Sequence, residues 1–353
     1  MPGLYIGATA GYSGKNMVAV GIGRALAREG LRVGYLKPVG ALPVERGDTL
    51  GDEDAFLVQE ALGLSADPAL VTPVLVTQDF KVEAFLGRCE GLVERIERAY
   101  AAISRDRDVT LVAGSGSMFS GRYCGVDAIT LVKRLKLPAV VIDRFRKELA
   151  YDMLAVLKES LGDLLAGVIL NDIPAEFMDE LEALILPFFA SRGIGVLGVI
   201  PRTAGLGAVT VADLCARLGG KIVSAHAGTE RAVDTFLIGT MQVENFLTHF
   251  RRRRNAAVIV GGDRSDIQLV ALEGDCPCLV LTGNLFPNDI ILTRAEVLGT
   301  PIVMVREDTY SVARKMEDSL ARHKLRGAAK LELGTKLVAE HLDFAQIKRA
   351  LGL

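Results

Sequence analysis

The residues best placed to do chemistry sit near the start of the chain. Gly7-Ala8-Thr9-Ala10-Gly11-Tyr12-Ser13-Gly14-Lys15-Asn16 combines small residues with one ammonium. The apolar run Leu4-Tyr5-Ile6 precedes it and Met17 to Leu26 follows, so the pattern predicts a strand, a glycine-rich turn and a helix start. Such a turn suits a phosphate. Glycines let backbone N–H groups crowd around an anion, the helix start adds unpaired donors and the positive dipole end, and Lys15 adds a point charge. The spacing is near the P-loop pattern, with Thr9 in place of its first glycine and Asn16 in place of the Ser/Thr that coordinates magnesium. Thr9, Gly11, Ser13, Gly14, Lys15 and Asn16 are thus candidate contacts for a nucleotide. An ordinary glycine-rich strand-to-helix turn is the competing reading.

A second group lies further along. Gly261-Gly262 follows an apolar run and Asp263-Arg264-Ser265-Asp266 opens a helical pattern, so backbone donors, a hydroxyl and a guanidinium converge at a strand's carboxyl end. Thr282-Gly283-Asn284 and Asp308-Thr309 end neighbouring runs. These are ligand candidates, or else Asp263, Ser265 and Asp266 simply cap the helix. Cys276-Pro277-Cys278 has no second pair or nearby histidine, which makes it a poor metal site; the remaining cysteines read as buried thiols. Arg251-Arg252-Arg253-Arg254 is either a solvated helix end or a contact for an acidic partner.

The elements that must hold these groups alternate between strand and helix. Leu31–Leu36, Val109–Val112, Pro138–Ile142, Gly167–Leu170 and Gly195–Pro201 are apolar runs of strand length. A polar loop precedes a helix from about Asp52 to Leu62, and Val82–Ile103 reads as one long amphipathic helix. Fully apolar strands in βαβ succession predict a parallel sheet with helices on both faces, whose ligands bind at the strands' carboxyl ends. Arg202-Thr203-Ala204-Gly205-Leu206-Gly207 marks a flexible connector. Beyond it, a helix at Thr210–Leu218, a strand at Asp234–Gly239, a helix at Val243–Arg253 and strands at Ala257–Val260, Cys278–Leu281 and Ile302–Val305 predict a second, smaller α/β unit.

The 353 residues suit two or three units, and the formal charge of −2 with interspersed signs argues against a nucleic-acid or anionic-membrane binder. No run approaches the roughly 18–20 apolar residues of a bilayer span, and no secretory signal is visible. A cytoplasmic protein without a membrane partner is expected.

Residues 1–203 resemble the dethiobiotin synthetase-type P-loop domain, also used by cobyrinic acid diamide synthases, in the version found at the N-terminus of long bacterial phosphate acetyltransferases. Ala8 to Lys15, Lys37-Pro38-Val39, Asp52-Glu53-Asp54-Ala55, the turn at Gly114 and Gly167-Val168-Ile169-Leu170-Asn171 carry the likeness. Residues 206–322 resemble a DRTGG domain, through Gly262 to Asp266 and Leu281 to Asn284. Residues 323–353 are expected as a helical extension packed on this second domain. The resemblance implies a P-loop NTPase-type fold and ATP as ligand. Lys15 would hold the β/γ-phosphates, Lys37 would face the γ-phosphate or second substrate, and Asp54 with Asn16 would hold Mg2+. Asn171 would read the adenine edge, with the chain near Pro201 closing over the base. Asp54 as a helix N-terminal charge, Lys37 as a surface lysine and Asn171 as a helix cap are the alternatives. DRTGG modules of some relatives lie beside nucleotide-binding CBS pairs, which implies a regulatory or interface role.

Two departures from the family matter. Asn16 offers an amide oxygen where the synthetases have a hydroxyl, and Ala113 stands where they place a magnesium-binding Glu. Phosphoryl transfer depends on metal and positioned charge, so these changes predict that turnover suffers more than binding. The expectation is an ATP-binding sensor or regulatory protein, forming homo-oligomers and contacting an acidic or metabolic-enzyme partner. An active Mg-ATP-dependent ligase or ATPase, with Lys15 and Lys37 catalytic, is the alternative. The end of the sequence at Leu353 leaves no room for an acyltransferase domain, so phosphate acetyltransferase activity is not expected.

Overall fold

The computed structural model describes residues 2–203, 205–321 and 328–353. The chain divides into two units, Met1–Arg202 with Leu325–Leu353, and Thr203–Lys324. In the first, the apolar runs form β1 (Gly3–Ala8), β2 (Val33–Leu36), β3 (Val109–Ala113), β4 (Ala139–Arg144), β5 (Leu165–Ile173) and β6 (Val196–Pro201). These six make one sheet in the order β6-β5-β4-β1-β3-β2, every pairing parallel. β1, β2 and β3 are buried along their whole length, as strands covered on both faces must be. The parallel register places the carboxyl ends of β1, β3, β4 and β5 on one edge, and α1 (Lys15–Arg28) starts there directly after the glycine-rich turn.

Two local expectations are corrected in this unit. The polar loop after β2 contains an antiparallel hairpin, Pro43–Arg46 with Thr49–Asp52, which delivers Asp52 to the N-cap of α2 (Glu53–Ala61). The single helix expected over Val82–Ile103 is two, Gln78–Phe85 and Leu92–Ser104. Gly87 and Gly91 between them take φ of +71° and +66°, a left-handed backbone that ends one helix and opens the next. The second helix keeps the amphipathic logic: Leu92, Ile96, Ala99 and Ile103 recur at helical spacing and are its buried face.

The second unit carries β7 (Lys221–Ser224), β8 (Thr235–Ile238), β9 (Ala256–Gly261), α3 (Ser265–Glu273), β10 (Leu279–Thr282) and β11 (Ile302–Met304). Its sheet order is β7-β11-β10-β9-β8, parallel except for β7, which runs antiparallel to β11 at the edge. Ala257 and Ile259 face one core with Val280 and Val303, while Val258 and Val260 face another with Leu279 and Leu281, so the period-two alternation of one strand feeds both layers. The expected helix Val243–Arg253 stops at Phe250, and Arg253 donates to the Phe236 carbonyl at 3.0 Å.

The C-terminal helices α4 (Ala328–His341) and α5 (Phe344–Leu351) belong to the first unit, not to the second as expected. α4 lies along α1, where Gly21 leaves room for it: a Cβ at that position would stand 2.4 Å from Val338 Cγ1. The Arg24–Glu332 pair at 2.9 Å and the Asp343 N–H bond to the Leu197 carbonyl at 2.8 Å complete the seam. Ala204 of the expected connector and residues 322–327, where the extension was expected to begin, lie outside the described residues. Among the described residues no helix is long and apolar enough to cross a membrane.

Candidate functional site

The turn between β1 and α1 is held from outside by its own carbonyls. Arg146 donates to the Gly11 carbonyl at 3.1 Å, Arg144 to that of Tyr12 at 3.2 Å, and Asn171 Nδ2 to that of Ser13 at 2.8 Å. In a trans peptide the N–H points opposite to the carbonyl of the same plane. Pinning these three carbonyls therefore turns the N–H groups of Tyr12, Ser13 and Gly14 away from the pinning side chains. From Gly11 to Asn16 none of these N–H groups meets a backbone carbonyl acceptor among the described residues. Gly14 takes φ +104° immediately before α1, and a Cβ there would strike Asn171 Nδ2 at 2.6 Å, so the position requires glycine twice over. Ser13 is buried and its hydroxyl closes the turn on the Ala10 carbonyl at 2.9 Å.

Lys15 opens α1 and its ammonium donates to the Gly116 carbonyl at 2.6 Å, in the turn after β3. Burial, and next the nearby Lys37 ammonium, lower its pKa to about 8, with Asp54 opposing them. Lys37 leaves the end of β2 and is almost fully buried, its ammonium 2.9 Å from both Asp52 Oδ1 and Asp54 Oδ2. The reading of Lys37 as a surface lysine is thereby excluded. Asp52 also accepts the N–H groups of Ala55 at 3.0 Å and Leu42 at 2.9 Å, so the hairpin, the α2 N-cap and the buried cation share one carboxylate. Asp54 lies in the first turn of α2 and faces Lys37.

The structure thus brings Thr9, Gly11, Ser13, Gly14, Lys15, Lys37, Asp54 and Asn171 to one sheet edge. Asn16 occupies the first turn of α1, and Pro201 pairs with Ile173 at the end of β6. Several neighbours went unread in the sequence. Asp143, at the end of β4, accepts the Thr9 hydroxyl and the Ala150 N–H, the latter at 2.7 Å; burial pushes its carboxyl above the usual range against these donors. Asp172 joins Arg144 at 2.9 Å and Arg202 at 3.0 Å. The signal for both was position: Asp143 directly follows the apolar core of β4 and Asp172 follows Asn171 near the end of β5, where a parallel sheet presents its ligand-facing edge.

In the second unit the expected ligand group is largely self-satisfied. Arg264 forks onto both oxygens of Asp266 at 2.9 Å and reaches the Met241 carbonyl at 3.1 Å, which holds the Asp266 carboxyl below its usual range. Arg264 itself is the N-cap residue of α3 and its side chain makes no capping bond, while Asp266 lies in the first turn of that helix and accepts backbone N–H groups there. Asn288 donates to the Ser265 hydroxyl at 3.2 Å, the Thr282 and Thr309 hydroxyls pair at 3.0 Å, and Gly283 takes φ +79°.

A strand, an amide-lined turn and a lysine at the start of a helix are the parts of a P-loop, and the family comparison agrees: the AAA_26 model, an AAA domain, matches residues 2–210. The chain belongs to the AAA_26 family. A DRTGG domain matches residues 213–319 of this AAA_26 chain. It is similar to the phosphate acetyltransferase of Nitratidesulfovibrio vulgaris, 25% identical over 372 residues, covering 98% of this chain and 51% of that protein. The Escherichia coli phosphate acetyltransferase is 23% identical over 341 residues, with 86% of this chain and 46% of that protein covered. The chain spans about half the length of these relatives, and its domain order fits the N-terminal region of long phosphotransacetylases. Among solved structures, Aquifex aeolicus MinD is similar with TM-score 0.35 and 19% identity, covering 58% of this chain and 84% of that one. The CBS and DRTGG domains of the Clostridium perfringens pyrophosphatase regulatory region are similar with TM-score 0.29 and 18% identity, over 34% of this chain and 50% of that one.

Proposed function

We propose that the first unit binds a purine nucleotide, ATP in the first instance, and that the protein is a sensor or regulatory module related to the N-terminal part of phosphate acetyltransferases. The observation that carries this reading is the pinning of the Gly11, Tyr12 and Ser13 carbonyls, which leaves the opposite face of the loop rich in N–H donors beside the Lys15 ammonium. Such a site offers an anion fixed donors and asks for little rearrangement on binding. Calorimetry with ATP, ADP and GTP tests it. Micromolar binding is expected, weakened roughly 10- to 100-fold by Lys15→Ala, the equivalent of the roughly 1.5–3 kcal/mol of a charged hydrogen bond. No heat with any of the three refutes it.

One observation favours the second reading, an ATP-dependent ligase: a buried lysine, Lys37, stands close enough to Lys15 to depress its pKa. Phosphate release that requires Mg2+ and disappears in Lys15→Ala would establish that reading.

A further inference from the structure

The family likeness implies Mg2+ beside the loop, and the donors of this chain do not fit it. Magnesium takes near-octahedral oxygen ligands, commonly one or two carboxylates with substrate phosphates and water. Here Asp52 is committed to Lys37, Ala55 and Leu42, and Asp54 is neutralised by Lys37 at 2.9 Å. Ala113 supplies no side-chain oxygen at the end of β3, and among the described residues no three acidic, histidine or cysteine side chains are grouped to hold a metal. Lys37 cannot readily yield its place. Its side chain is 5% exposed and that of Asp52 0%, so withdrawing the ammonium would strand a buried carboxylate.

The charges point the same way. Asp52 and Asp54 are matched by Lys15 and Lys37, and Asp143 and Asp172 by Arg146 and Arg144 around the loop, so a divalent cation would enter a site with no spare negative charge and two ammonium groups already in it. A polyphosphate anion would instead be attracted by both. We infer that this site takes its polyphosphate as the metal-free anion, with the Lys37 ammonium, held between Asp52 and Asp54, supplying positive charge that a divalent cation would otherwise bring. The inference rests on the nucleotide reading above and specifies the form of ligand that the site selects.

Calorimetric titration of the full chain with ATP, once in EDTA and once in excess Mg2+, tests it without a variant. Binding in EDTA is expected to equal or exceed that in Mg2+, because MgATP presents two fewer negative charges to the lysines. Asp54→Asn, which removes the carboxylate most able to turn to a metal, should shift affinity in both buffers alike and leave binding in EDTA equal to or above that in Mg2+. Binding about tenfold or more tighter in Mg2+, lost in Asp54→Asn, would overturn the inference and make Asp54 a metal ligand while leaving the nucleotide reading intact. Absence of binding in both buffers would remove the nucleotide reading itself, and this inference with it.

Discussion

Raising the pH should weaken ATP binding through one side chain. Burial first, and the neighbouring Lys37 second, bring Lys15 down to about 8. Bound phosphates oppose both effects, so a complex keeps Lys15 protonated and protein with a neutral Lys15 must take up a proton to bind. With a pKa of about 8, the protonated fraction falls from about nine-tenths at pH 7 to about one-tenth at pH 9, and affinity should fall about tenfold across that interval. The ligand does not supply the fall, since losing its last phosphate proton makes it more anionic and would raise affinity as the pH rises. Calorimetry in EDTA at several pH values measures the curve, with Lys15→Ala as the comparison. The variant, having no ammonium to lose, should bind weakly with a flat profile. A flat wild-type curve, or an equal slope in both proteins, would refute the assignment of Lys15 to the phosphates.

Other expectations follow from single contacts. Gly14→Ala sets a side chain at φ +104° against Asn171, so about 1–2 kcal/mol of stability should be lost from the backbone alone, together with ATP binding; urea titration and calorimetry read the two effects. Thr9→Val removes one of the donors to buried Asp143 and should cost about 1–3 kcal/mol near neutrality. That cost should shrink on acidification as the carboxyl protonates, and a pH-independent loss would mean that the hydroxyl matters only for packing. Val338→Ala empties the contact between α4 and the Gly21 face of α1 and should lower stability by about 1–3 kcal/mol; an unchanged denaturation midpoint would argue that α4 does not pack there.

Much of the first unit was legible because its strands are buried on both faces and therefore written in uninterrupted apolar residues, which few other elements imitate. The loop was legible for the converse reason, since Gly11, Gly14 and Lys15 violate any packing pattern. What failed was information that one segment does not carry about another. The apolar spacing of Val82–Ile103 continues across Gly87 and Gly91, and only their positive φ breaks the helix. An amphipathic C-terminal segment states that one face is covered, not by what. The hint lay some three hundred residues earlier in Gly21, whose missing side chain makes room for Val338. Asp143, after Ile142, and Asp172, after Asn171, resemble simple strand ends in the sequence. Their roles exist only once β4 and β5 lie beside β1.

The two halves of the site have one property in common: their charges are set before any ligand arrives. The loop's carbonyls are held by Arg144, Arg146 and Asn171, and the cation beside it is held by Asp52 and Asp54. Fixed donors favour binding, since little order remains to be lost when the anion enters. Accelerating phosphoryl transfer asks for more, namely charge that tightens on the transition state over the ground state, which a metal bridging β- and γ-oxygens provides. A lysine anchored to two aspartates at the end of β2 has little freedom to follow the migrating phosphoryl group. The anchoring that makes Lys37 a good substitute for a cation in binding therefore makes it a poor one in turnover, and this asymmetry is the physical ground for favouring a nucleotide sensor over a ligase.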